Sequence, residues 1–220
     1  MKNIKMILFD IDNTLVFGTK ASSFYLSYSR VLERTLSESL NIDLKEGKKI
    51  ADEHRKNFDG HGEIAFITYG LGMEKWYETI LSLDPQKNLD PMPAASNVLK
   101  FFKKRDMIIG AITDGPALQA GRILKATKIE RDLLNFCIGW EKGQPMPKDG
   151  SEKIYQKLCQ DFNISPSQAV MVGDSLRTDI LPAIKAGLKA VHISDKKITG
   201  KNKWTTIENI QLLTNLKKII

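Results

Sequence analysis

Residues 6–15 read Met-Ile-Leu-Phe-Asp-Ile-Asp-Asn-Thr-Leu, and this stretch restricts the fold more than any other part of the chain. The run Met6 to Phe9 is apolar at every position, so neither face of the strand it predicts can meet water. Such strands belong to the parallel sheets of α/β proteins, where helices cover both faces. The run stops on two acids, Asp10 and Asp12. Neighbouring carboxylates raise each other's pKa and cost free energy unless a cation or hydrogen bonds offset them. In α/β sheets ligands sit at the carboxyl ends of the strands, so the paired acids point to a functional site.

The pattern after Leu15 changes to helical spacing. Phe24, Tyr28, Val31, Leu32, Leu36 and Leu40 predict an amphipathic helix entered through Ser22 or Ser23. A second begins near Asp43 with Ile50, Ala51, His54 and Phe58 on one face, and the Asp59-Gly-His61-Gly run is a turn. A short helix over 63–69 and a fourth marked by Met73, Trp76, Tyr77, Ile80 and Leu81 follow. Asp84-Pro85 and Asp90-Pro-Met-Pro93 close this segment, because residues before proline are pushed out of helical geometry. Four helices with no strand predict an inserted bundle, with residues 17–89 as a small all-helical domain.

From residue 90 onward helix and strand alternate. Strands are predicted at 107–113, 136–139, 169–173 and 190–193, with helices between them, which gives a doubly wound parallel sheet built from 1–16 and 90–220. A weak helix over 206–217 ends the pattern.

Two further strand ends carry chemistry. Ile-Gly-Ala-Ile-Thr113-Asp114-Gly115-Pro116 places Thr113 and Asp114 over a helix N-terminus, where unpaired N–H groups bind phosphate. The alternative is that Thr113 or Asp114 merely caps that helix. Val-Met-Val-Gly173-Asp174-Ser175 ends a second apolar strand on an acid, and Asp179 opens the next helix. If that strand lies beside the first, Asp10, Asp12 and Asp174 converge. Three nearby carboxylates call for a hard divalent cation, Mg²⁺ being the natural occupant. Asp179 either supports that metal or offers charge to the helix dipole.

Taken together these motifs resemble the haloacid dehalogenase (HAD) superfamily in its phosphatase branch. Asp10-Ile-Asp12-Asn-Thr14 is similar to its first motif, Thr113 after an apolar strand to its second, and Gly173-Asp174-Ser175 with Asp179 to its fourth. Lys148 fits the spacing of the third, although prolines precede it where the family often has one following. The resemblance implies a Rossmann-like core with a cap of C1 type inserted after the first motif. It also implies a Mg²⁺-dependent phosphatase in which Asp10 is the nucleophile and Asp12 the acid and base. Thr113 and Lys148 would bind the phosphate, and Asp10, Asp12 (through its carbonyl), Asp174 and Asp179 would form the metal site. A second acid suits an alkoxide leaving group rather than halide, which favours phosphatase over dehalogenase. A phosphomutase of the same superfamily and a non-catalytic module that binds phosphorylated metabolites are the alternatives. Substrate choice would lie in the insert, where Phe17 and His61 are candidate contacts; His54, Trp76 and Tyr77 are read as core.

The net charge of +7 raises the question of a nucleic-acid partner. Six lysines against Asp195 and Glu208 give the segment from 195 onward +4 of that total, so the body is only mildly basic. The excess is therefore read as a solvated surface, with a small phosphorylated metabolite as partner and no nucleic acid. The two cysteines, Cys137 and Cys159, have no metal or redox spacing, which predicts a reducing compartment. The first apolar run is too short for a signal sequence and none elsewhere spans a bilayer, so the expected location is cytoplasmic, as a monomer or homodimer.

Overall fold

The central strand β1 (Met6–Phe9) is hydrogen-bonded on both sides, to β2 (Ile108–Pro116) and to β4 (Ala169–Gly173). The computed structural model describes residues 4–57, 62–195 and 204–218. Adding β3 (Phe136–Trp140), β5 (Lys189–Ile193) and β6 (Thr205–Ile207) gives a six-stranded sheet, all pairs parallel, in the order β3-β2-β1-β4-β5-β6. The chain works outward from β1 to β3, then returns to lay β4 on the other side of β1. A crevice opens at that reversal, outside the carboxyl ends of β1 and β4.

The continuous apolar runs are explained by the two layers. Ile7 and Phe9 with Val170 and Val172 face one core, against Leu99 and Phe102 of α6 (Pro93–Lys103) and Ile123 of α7 (Ala117–Ala126). Met6 and Leu8 with Met171 face the other, against Tyr155 and Leu158 of α8 (Lys153–Asp161) and Ala183 of α9 (Leu181–Lys185). Side chains alternate faces along a strand, so burial on both sides demands an apolar residue at every position.

The expected strands are present within a residue or two, except that β2 runs on to Pro116. The segment expected as a helix over 206–217 differs. Its start joins the sheet as β6, and Ile210–Lys218 forms a 3₁₀ stretch whose Ile210 and Leu213 plug the core. Thr205, Thr206 and Ile207 are β-branched and suit a pleated edge better than a helix.

Among the described residues from Thr19 to Asn88 every element is a helix: α1 (Thr19–Leu40), α2 (Leu44–Asn57), α3 (Glu63–Thr68), α4 (Gly72–Leu81) and α5 (Pro85–Asn88). Two details depart from expectation. Ser22 and Ser23 do not open α1; their hydroxyls donate back to the carbonyls of Gly18 and Thr19 inside it. The proline-rich closing segment holds a fifth helix, α5, with Pro85 in its first turn and the Asp84 side chain accepting from the Gln86 N–H at 3.0 Å.

Leu32, Leu36, Ile50, Phe66, Trp76 and Ile80 form a separate apolar cluster in these helices. A Cβ on Gly47 would lie 2.8 Å from the Glu33 carbonyl, so glycine permits the close approach of α1 and α2. Trp140, at the end of β3, enters the same cluster, with ring centroids 5.8 Å from Trp76 and 5.5 Å from Tyr77. On α7, Arg122 donates to the Leu81 carbonyl at 2.8 Å and Gln119 to that of Leu83 at 3.1 Å, satisfying carbonyls that the end of α4 leaves open. No helix among the described residues is long and apolar enough to cross a membrane.

Candidate active site

The site forms at the carboxyl ends of β1, β2 and β4. The Asp10 N–H donates to the Val172 carbonyl at 2.9 Å, so the first acid is still fixed by sheet pairing. Beyond it the chain turns sharply. Thr14 and Val16 both donate to the Ile11 carbonyl, and Asn13 takes a left-handed conformation with φ of 57°. Ile11 faces the apolar core while Asp10 and Asp12 line a cavity of about 380 Å³. Thr113, Asp114, Lys148 and Asp174 line the same cavity, and the insert contributes Tyr25, Tyr28, Arg55 and Trp76.

Lys148 is 4% exposed, and its ammonium lies 2.5 Å from Asp10 Oδ1 and 2.7 Å from Asp179 Oδ1. Burial alone would lower its pKa, but the facing carboxylates of Asp10 and Asp179 hold it well above the ordinary value. Asp114 accepts from the Lys148 backbone N–H at 2.6 Å, which anchors the loop that presents the lysine. Neither Thr113 nor Asp114 caps α7: Pro116 stands at that position without a side-chain cap, because β2 continues past both. Thr113 instead accepts from the Gly115 N–H at 3.0 Å.

After β4 the chain makes one wide turn of π type, Leu176–Ile180, in which Ser175 accepts from the Thr178 N–H. The turn folds Asp179 back under the strand end, fully buried. Its Oδ2 accepts from the Ser175 N–H at 3.1 Å and its Oδ1 from Lys148, so both oxygens are engaged. The reading of Asp179 as a mere helix-dipole charge gives way to that of an acid tying Lys148 to the β4 loop. His192 on β5 donates from Nε2 to the Asp174 carbonyl at 2.9 Å and steadies that loop from behind.

Oxygen atoms of Asp10, Asp174 and Asp179 lie within 4.8 Å of one another. Asp10 Oδ2 is buried with no hydrogen-bond partner. Burial pushes the Asp10 carboxyl well up despite the Lys148 ammonium, and Asp179 and Asp174 push the same way. Burial likewise raises Asp174 to about 6, with Asp179 adding to the effect and a hydrogen bond from Asn13 opposing it. Four acids, Asp10, Asp12, Asp174 and Asp179, surround one ammonium. An all-oxygen donor set with an unpartnered carboxylate oxygen and excess negative charge fits a hard divalent cation.

Not every expected contact is brought here. Phe17 packs against the apolar core beside β1 and does not line the cavity, because the turn that buries Leu15 and Val16 carries it inward. His61 lies outside the described residues. His54 bonds the Ile50 carbonyl and packs edge-on against Tyr69, as a bundle residue. Trp76 is buried in the insert cluster and also reaches the cavity wall.

Sequence reasoning missed Tyr25. Its hydroxyl donates to Asp12 Oδ1 at 2.5 Å, and its ring stacks on Tyr28. The signal was available, since a buried tyrosine needs a polar partner for its hydroxyl and two of them sit one helical turn apart.

The family model for haloacid dehalogenase-like hydrolases matches residues 4–187. The chain is 29% identical over 205 residues to the glyceraldehyde 3-phosphate phosphatase of Pyrococcus furiosus, spanning 87% of this chain and 81% of that protein. It is 30% identical over 197 residues to the glyceraldehyde 3-phosphate phosphatase of Pyrococcus abyssi, spanning 86% and 80%. Among solved structures, a HAD phosphatase from Thermococcus onnurineus matches with a TM-score of 0.72 at 24% identity, over 97% of this chain and 98% of that one.

Proposed function

The chain belongs to the haloacid dehalogenase-like hydrolases, and from that premise we propose that it is a Mg²⁺-dependent phosphatase of small phosphomonoesters. The observation that carries this reading is Asp10 Oδ2, a buried carboxylate oxygen with no partner, on a cavity that Asp12 and Lys148 also line. A nucleophile needs a lone pair that no donor occupies, and Lys148 leaves that oxygen alone by bonding Oδ1.

In the first step Asp10 Oδ2 bonds to phosphorus and the bond from phosphorus to the ester oxygen breaks. Asp12 gives that oxygen its proton, so the product leaves as an alcohol. In the second step Asp12, now a carboxylate, takes a proton from water as the water oxygen bonds to phosphorus and the aspartyl-phosphate bond breaks. Lys148 and Thr113, both buried, face the phosphoryl oxygens where charge gathers. Asp10, Asp174 and the backbone carbonyl of Asp12, with Asp179 behind them, would hold Mg²⁺, which would neutralise phosphoryl charge.

The helices of 17–89 act as the cap that closes over the site and selects the substrate. A cavity of about 380 Å³ suits a phosphate on a short carbon skeleton. Arg55 Nη1 is buried without a partner on the insert side and offers a donor to the far end of such a molecule. The relatives named for glyceraldehyde 3-phosphate act on a compound of that size, which makes phosphorylated three-carbon compounds the first to assay. Phosphate release from sugar phosphates, nucleotides and three-carbon phosphates, with Mg²⁺ and with chelator, is the test. Release that requires Mg²⁺ is expected; no release from any ester at any pH, while phosphate esters still bind, sinks the reading.

A further inference from the structure

Asp12 belongs to the β1 loop, yet its carboxylate is held by a residue of the insert. The Tyr25 hydroxyl of α1 donates to Asp12 Oδ1 at 2.5 Å. We propose that Tyr25 is a positioning residue for proton transfer to the leaving group: by engaging Oδ1 it fixes the Asp12 carboxyl and reserves the other oxygen for the proton. This rests on the acid role given to Asp12 above.

Three features make the tyrosine suited to the task. Its ring cannot swing freely, being stacked on Tyr28 at 6.0 Å between centroids and tilted against Phe24 at 5.7 Å. Phe24 is itself 1% exposed in the core under the sheet, so the first turns of α1 are anchored to the core while Leu32 and Leu36 further along join the cluster of the insert. The hydroxyl faces a carboxylate oxygen, which can only accept, so the phenol O–H points at Asp12. It is therefore a fixed donor.

The experiment is Tyr25→Phe, which keeps the ring and removes the hydroxyl. A general acid matters most when the departing oxygen is basic, so kcat/KM is compared on glycerol 3-phosphate, an alkoxide leaving group, and on 4-nitrophenyl phosphate, whose phenolate leaves unaided. The variant is expected to lose about 10-fold more kcat/KM on the alkyl ester than on the aryl ester. Asp12→Asn should show the same bias more strongly, and circular dichroism with thermal unfolding checks that both variants fold. An equal loss on both esters, or no loss on either, overturns the positioning role. A wild-type protein that releases no phosphate, or an Asp12→Asn variant with no leaving-group bias, overturns the acid assignment and this inference with it. Those two outcomes place the fault in the phosphatase reading rather than in Tyr25.

Discussion

Gly173 and Asp179 are in direct apposition: a Cβ built on the glycine would lie 2.2 Å from Asp179 Oδ2. The missing side chain is what lets the π-type turn fold its acid back under β4 and up to Lys148. Gly173→Ala is therefore expected to push Asp179 aside, release the second partner of Lys148, and lower both kcat/KM and divalent-cation affinity by about 10-fold or more. Circular dichroism should remain that of the wild type. Full activity with intact cation binding would show that the apposition has no functional weight.

Asp10→Asn removes the nucleophilic oxygen while keeping the shape of the side chain. Turnover should fall by about 10³-fold or more, with secondary structure unchanged. Near-normal activity in that variant would rule out the covalent route through Asp10.

Lys148→Met tests the buried pair from the other side. Asp10 and Asp179 would then face each other with no cation between them, and breaking a buried pair by removing one partner costs about 3–5 kcal/mol. Urea unfolding in chelator should show that loss, and added Mg²⁺ should recover part of it. A variant as stable as the wild type without metal would mean that the acids are otherwise satisfied.

The pH response of the metal-free chain runs opposite to that of an ordinary salt-bridged carboxylate. Asp174 stands at about 6 against 3.8 for the free side chain, chiefly through burial, so between those values the folded state holds a proton that the unfolded chain gives up. Its contribution to stability is full below the lower value and declines as pH rises to the upper one. Asp10 and Asp12 are shifted upward as well, and add to the trend. Thermal unfolding compared between chelator and excess Mg²⁺ should show a stabilisation by the cation that is larger at pH 7.5 than at pH 5, because below about 6 the cation must displace a proton from Asp174. Equal stabilisation at both values would contradict the shift.

Trp140 of β3 is buried in the apolar cluster of the insert. Trp140→Ala should cost about 3–5 kcal/mol in urea unfolding and expose the segment from Leu44 to Leu81 to proteolysis before the sheet. Unchanged cleavage would mean that the insert holds its place without it.

What the sequence made legible follows the range of its signals. The runs at Met6–Phe9 and Ala169–Gly173 announce themselves because burial on both faces leaves no choice of residue, and each ends on an acid that no structural need explains. β6 and α5 were not legible: a three-residue edge strand and a single turn are too short to show a period. The partner of Tyr25 was hidden for another reason. Helical spacing grouped Phe24 and Tyr28 as apolar, and only the fold reveals that the intervening face meets a carboxylate thirteen positions back in the chain. Asp114 stood open between a phosphate-binding helix end and a helix cap because it precedes a helix, and only the return of the Lys148 loop shows what it binds.

The order of strands also bears on how such a chain comes into being. β1 is made first, yet its two neighbours begin at Ile108 and Ala169, after the whole insert and two further crossovers have been synthesised. Until β2 is made, this apolar strand has neither native partner, and until β4 follows one edge stays open, the condition under which nascent chains associate wrongly. The acids at Asp10 and Asp12 then have a second value, as charges that bound the exposed segment and discourage its stacking with a second copy until β4 arrives.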